Sequence, residues 1–133
     1  MTTPTLPEAE QDVLAALYDA GEATARDIRE RLSAERPLAH ASVVTLLGRL
    51  EDKGFVKRRK ADTGKAFVFS PTYARGRTFG PALSRLVRRA FRGNSAALVA
   101  SLFESRPPDA REIEELEALL TDWRGRRGGG DRK

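Results

Sequence analysis

A mainly α fold with one small β-hairpin is predicted by three observations. Apolar residues recur at three- and four-residue spacing in successive runs from Ala9 onward, the period changes to two between Phe55 and Phe69, and helical spacing returns after Pro71.

Pro7 suits the first position of a helix, and Ala9, Val13, Leu14, Leu17 and Tyr18 give that helix an apolar stripe which Gly21 stops. Thr24 with Asp27 three residues on is a capping box with Asp in place of Glu. It predicts a second helix from about Ala25 to Ala34, with Ile28 and Leu32 facing inward. Pro37 closes that region. A third run follows with Val43, Leu46, Leu47 and Leu50 on one side and Gly54 as its C-terminal stop. From Phe55 to Lys60 and from Ala66 to Phe69 the residues are aromatic, β-branched or basic. Asp62-Thr63-Gly64 between them is turn chemistry, so the two runs read as a hairpin that Pro71 ends. Three helices followed by a basic hairpin is the order of a winged helix-turn-helix, here over residues 6–71. In that fold the third helix is placed to enter the major groove of double-stranded DNA, with the hairpin beside it as the wing.

Residues 72–124 read as a helical domain. Phe79, Leu83, Leu86, Val87 and Ala90 form one stripe, in which Pro81 either kinks the helix or marks its start. Ser95 opens a short run containing Leu98, Val99, Leu102 and Phe103, which Pro107-Pro108 breaks. Asp109 and Glu112 then form another capping box ahead of Ile113, Leu116, Leu120 and Trp123, spaced as in a helix-helix seam. Helices this short cannot enclose a core alone. The expected solution is a helical dimerisation domain in which Phe79, Leu83, Leu86, Val87, Leu98, Leu102, Ile113, Leu116, Leu120 and Trp123 meet their counterparts in a homodimer. The alternative is an intramolecular pack against the winged domain. Residues 125–133 are rich in Gly and Arg and are expected to be a disordered basic tail.

The 133 residues contain no Cys and one His, which excludes a disulfide framework and any Cys/His metal site; no metal and no cofactor are expected. Nor is there a constellation of groups that would catalyse a reaction. No stretch approaches the ~20 apolar residues of a membrane span, and the N-terminus lacks the features of a signal peptide, so a cytoplasmic protein is expected. The net charge of +5 is unevenly distributed. Lys53, Lys57, Arg58, Arg59 and Lys60 fall in a stretch without an acid, and every charge between residues 72 and 103 is an Arg. Clustered cations attract phosphate through counterion release.

With Val43, Leu47 and Leu50 turned inward, the third helix presents Ala41, Ser42, Thr45, Gly48 and Arg49 outward, and His40 stands at its start. His40, Ala41, Ser42, Thr45 and Arg49 are therefore the candidate groove contacts, and Lys57, Arg59 and Lys65 of the hairpin are candidate phosphate contacts. Each has a plainer reading: His40 as a capping or surface residue, Thr45 as solvent-facing, Arg49 as the partner of Glu51 or Asp52. The stripe of Arg75, Arg77, Arg85, Arg88, Arg89 and Arg92 either extends the electrostatic footprint or pairs with Glu112, Glu114, Glu115 and Glu117 across the dimer. A second functional class is a winged-helix protein-interaction module whose basic hairpin meets an acidic partner without acting on DNA.

The chain resembles the penicillinase-repressor (BlaI/MecI/CopY) family of bacterial winged-helix transcriptional regulators. The matching passages are Leu6-Pro7-Glu8-Ala9-Glu10 with Val13-Leu14, Ala23-Thr24-Ala25-Arg26-Asp27-Ile28, the run from Ser42 to Gly54, Glu112-Ile113-Glu114-Glu115-Leu116, and the wing from Gly64 to Pro71. The resemblance implies a homodimeric repressor that binds a palindromic operator through the third helix and the wing. Many members are inactivated when a membrane-bound sensor protease triggers cleavage in the helical domain, commonly between Asn and Phe. The corresponding bond here is Ser101-Leu102. Members differ at the positions of Ala41 and Val44, where some carry basic residues, and the copper-sensing branch carries Cys residues that this chain lacks.

Overall fold

The computed structural model describes residues 6–130, with side chains as far as Arg127. The elements run α1 (Glu8–Ala20), α2 (Ala25–Arg31), α3 (His40–Asp52), β1 (Val56–Lys60), β2 (Phe67–Pro71), α4 (Arg75–Ala90), α5 (Ser95–Leu102) and α6 (Ala110–Gly130). Both capping boxes form as the sequence predicts. Thr24 Oγ1 accepts from the Asp27 amide while Asp27 accepts from the Thr24 amide, each at 3.1 Å. Asp109 accepts from the Glu112 amide at 2.8 Å, and Glu112 accepts from the Asp109 amide at 3.3 Å. Each box satisfies amides at a helix start that would otherwise lack partners. α2 ends at Arg31, short of the expected Ala34, because the chain there tightens into turns closed by Ser33 N–H to the Glu30 carbonyl.

The chain divides into two compact units, one up to Ala82 and one from Leu83 onward. In the first, α1, α2 and α3 bury Val13, Leu14, Leu17, Ile28, Val43, Leu47 and Leu50 against one another. The hairpin closes this core with Phe55, Val56 and Phe69. Its strands pair antiparallel from Val56 opposite Pro71 to Lys60 opposite Phe67, and Ala23 adds a third, single-residue rung on Phe69. α3 stops at a left-handed glycine: Gly54 has φ 87°, its N–H donates to the Glu51 carbonyl at 3.0 Å, and the Phe55 N–H reaches back to the Leu50 carbonyl at 2.9 Å. That pair of bonds caps the helix and turns the chain directly into β1.

The sequence places the end of the winged domain at Pro71, but the first unit includes the start of α4. Tyr18 explains the difference. Its hydroxyl donates to the Tyr73 carbonyl at 2.7 Å and lies 2.5 Å from Thr78 Oγ1, and Phe79 meets its ring edge-on at a centroid separation of 6.0 Å. Phe79, expected in a dimer seam, packs instead beside the core of the first unit. Pro81 lies inside α4 and does not start it, since the helix begins at Arg75.

In the second unit, α5 opens at Ser95 as the sequence predicts, and Asn94 caps it, its side chain accepting from the Ala97 amide at 3.0 Å. α5 ends at Leu102, ahead of Pro107-Pro108. α6 continues through Gly125 to Gly130, with Arg126 paired to Asp122 at 3.1 Å one turn earlier. Residues 131–133 of the expected tail lie outside the described residues. No residue of α4 or α5 is buried. Leu83, Leu86, Leu102, Ile113, Leu120 and Trp123 are exposed, Leu102 by 61% and Trp123 by 54%, while Val87, Leu98 and Leu116 are half-buried.

Candidate nucleic-acid interface

α3 is fixed from behind. Val43, Leu46, Leu47 and Leu50 anchor one side of it in the core, and at its C-terminal end Lys53 Nζ meets Glu10 Oε1 of α1 at 2.5 Å. Glu10 is 2% exposed, so this carboxylate is held inside the fold by a cation. The other side of α3 is open. His40, Ala41, Ser42, Thr45 and Arg49 are all exposed, as the sequence predicts, and Val44 joins them at 44%. The first turn has no side-chain cap, since Ala39 occupies that position, which leaves its amides available to an acceptor from outside.

The hairpin sorts its cations by strand alternation. Lys57 and Arg59 share one face, while Arg58 and Lys60 share the other with Phe67 and Phe69. Two of these cations are engaged within the fold. Arg58 makes a bidentate pair with Glu51, its Nη2 at 2.7 Å from Oε1 and its Nε at 2.9 Å from Oε2, and stacks 4.9 Å from the centroids of both Phe67 and Phe69. Arg59 Nη2 donates to Glu22 at 2.7 Å. Among the described residues Lys57, Lys60 and Lys65 form no ion pair. The expected phosphate contacts are thus divided: Lys57 and Lys65 are unengaged, while Arg59 would have to exchange Glu22 for phosphate. Arg49 is not paired with Glu51, whose carboxylate Arg58 occupies.

Between α3 and the wing lies a cleft of about 390 Å³, lined by His40 and Val44 on the helix, Arg26 on α2, and Arg58, Lys65 and Phe67 on the hairpin. His40 and Lys65, distant in sequence, therefore face one opening. Val44, Arg26 and Lys60 were not among the sequence candidates. Val44 was legible in principle, because it stands four residues after His40 and three after Ala41 on the outward face. Lys60 was legible as a member of the basic run. Arg26 was not, because its place beside α3 depends on how α2 packs.

Two Arg residues of the basic stripe are also engaged. Arg75 reaches Asp19 at 2.7 Å and lies 5.3 Å from the Tyr18 ring, and Arg77 lies 4.7 Å from the Tyr73 ring. Of the acids proposed as their partners, Glu112 is bound by Arg106 at 2.7 Å and Glu115 by Arg111 at 3.1 Å. The Arg106 hydrogen bond, helped by the Asp109 amide, holds the Glu112 carboxyl below the ordinary carboxylate value. Among the described residues no group of His, Asp and Glu is arranged to hold a metal ion, and no helix is long and apolar enough to cross a membrane.

The arrangement presents a narrow, exposed helix face of small side chains, flanked by lysines on a hairpin. Lysines of this kind bind phosphate as mobile point charges, while a helix of this diameter fits the major groove. Comparison with known proteins gives the same direction. Residues 6–122 match the family described as Penicillinase repressor. The chain is 25% identical over 115 residues to the methicillin resistance regulatory protein MecI of Mammaliicoccus sciuri, covering 86% of this chain and 92% of that protein. It is also 25% identical over 119 residues to an uncharacterized 16.5 kDa protein of Latilactobacillus sakei, covering 90% and 80%. Among solved structures, a mutant MarR from E. coli complexed with operator DNA matches with a TM-score of 0.50 at 22% identity, over 86% of this chain and 73% of that one, which is a likeness of fold.

Proposed function

Because this chain belongs to the penicillinase repressor family, we propose that it is a homodimeric transcriptional repressor that binds a palindromic operator in double-stranded DNA. One observation carries the reading: α3 is anchored by four buried residues and turns His40, Ala41, Ser42, Thr45 and Arg49 outward beside a wing whose Lys57, Lys60 and Lys65 are unengaged. In this reading the first unit is the DNA-binding domain, the exposed helix supplies base contacts, and the lysines supply sequence-independent affinity.

Dimerisation is supported by the apolar surface of the second unit. Leu83, Leu86, Leu120 and Trp123 are close to half exposed in the single chain, which is a large apolar exposure for α4 and α6 in water. A second copy would cover them and set two half-sites about 34–36 Å apart, one turn of DNA. Footprinting on the DNA upstream of the chain's own gene should show a two-fold protected site. Leu120→Glu should convert the dimer to monomer by sedimentation and weaken operator binding by about thirtyfold, the size of a hot-spot loss near 2 kcal/mol. A Leu120→Glu protein that stayed dimeric with full affinity would contradict the reading.

Release by a membrane-bound sensor protease acting at Ser101-Leu102 is the matching proposal for induction. Both residues are exposed in the last turn of α5, where little packing opposes local opening. Mass spectrometry of the protein from induced cells should find a fragment ending at Ser101; an intact chain under full induction would rule the proposal out.

A further inference from the structure

Two features of α3 have no explanation within the fold. Gly48 sits in the middle of the helix, where glycine costs about 1 kcal/mol relative to alanine, yet a Cβ built there would meet no atom within 4 Å outside its own turn. The packing therefore does not require glycine. Val44 is β-branched, a weaker helix former than alanine or lysine, and it leaves 44% of its surface to solvent. Ala41, Val44, Thr45 and Gly48 adjoin on the outward face at spacings of three, four and seven residues, and together they make a shallow surface without a charged side chain.

In the major groove only one natural base edge is apolar. Thymine presents its 5-methyl group, whereas guanine, adenine and cytosine present acceptors and donors alone. A valine placed against any of those three strips water from a polar edge and returns no hydrogen bond. Resting on the DNA-binding reading above, we infer that α3 reads the 5-methyl group of a pyrimidine with Val44, and that Gly48 removes the side chain which would otherwise hold the helix away from that base. The recognised group is a 5-methylpyrimidine edge, so 5-methylcytosine offers the same surface as thymine. Val44 then supplies the preference at that one position, and Arg49, at the far end of the helix, contributes affinity.

The full-length protein is used to select sites from a random duplex library. A thymine should be fixed at one matching position in each half-site. In the selected duplex each thymine is then replaced singly by deoxyuridine, which removes only the methyl. Affinity should fall about fourfold at the position facing Val44, the factor for one buried methyl-sized group, and stay unchanged elsewhere. Val44→Ala should bind the thymine and deoxyuridine duplexes equally, and with cytosine at that position the wild type should bind the 5-methylated form more tightly. Gly48→Ala should melt at or above the wild-type temperature and bind at least tenfold more weakly. Equal binding of thymine and deoxyuridine at every position, or a Gly48→Ala protein of unchanged affinity, would overturn the inference while leaving the repressor reading intact. Failure to enrich any sequence would overturn both.

Discussion

Replacing Lys53 by Met tests how the reading helix is held. Glu10 is 2% exposed and its carboxylate is paired with Lys53 Nζ at 2.5 Å, so the substitution leaves a carboxylate inside the fold without that cation. Removing one partner of a buried pair costs about 3–5 kcal/mol. The Lys53 side chain is 26% exposed, so water enters from its side and the loss should lie at the lower end, about 3 kcal/mol. For a domain of this size that lowers the melting temperature by roughly 12–24 °C. Hydrogen exchange at the Val13 and Leu14 amides reads the first unit by itself, whereas Trp123 fluorescence reports the second. The double variant Glu10→Leu with Lys53→Met should recover to within about 1 kcal/mol of wild type, because an apolar pair of similar volume replaces a buried ion pair at little loss. A single substitution that costs less than about 1 kcal/mol, or a double variant as unstable as the single, would refute the claim that this pair secures α3 to α1.

Three further outcomes follow from the wing, α6 and α4. Lys57→Ala, Lys60→Ala and Lys65→Ala should each lower the slope of log affinity against log salt by about 0.9 for every phosphate left without its cation. Arg58→Ala should leave that slope unchanged and destabilise the hairpin, because Arg58 is held by Glu51 and two aromatic rings; a reduced slope for Arg58→Ala would show that it meets DNA. The Glu112 carboxyl is lowered by the Arg106 hydrogen bond and then by the Asp109 amide, so its support of the α6 start is complete above 4.5 and is lost as pH falls through the lowered value. An NMR titration should place its midpoint below 4.5, and a midpoint at or above 4.5 would contradict the capping geometry. Tyr18→Phe removes a hydroxyl that bonds Tyr73 and Thr78, and should destabilise the junction with α4 by about 1–2 kcal/mol; an unchanged urea midpoint would show that Phe79 packing alone holds it.

Much of the first unit could be read from local chemistry. The Thr24–Asp27 box, the Gly54 stop and the period change at Phe55 each depend on residues a few positions apart, and each appears in the structure where the spacing puts it. The outward face of α3 was legible for the same reason, since Val43, Leu47 and Leu50 fix its orientation. The attachment of the α4 start to the first unit rests on long-range bonding: Tyr18 reaches residues 55 and 60 positions away, which no local pattern reveals. Long-range pairing also separated the wing cations, because Glu22 lies 37 positions before Arg59. Val44 is apolar yet 44% exposed, and that exposure, which the sequence does not give, is what makes it informative.

Whether an exposed helix face and a lysine-bearing wing bind DNA by sequence is tested most directly by one comparison of affinities. The full-length protein is measured on its selected operator and on scrambled DNA of the same length and composition, at physiological salt. A preference of about a thousandfold or more is expected, the lower bound for specific recognition, and Val44→Ala and Thr45→Ala proteins that still fold should each lower it by about fourfold or more, the size of one lost methyl-sized contact. Equal affinity for the two duplexes, or a preference untouched by both substitutions, would contradict sequence reading by α3.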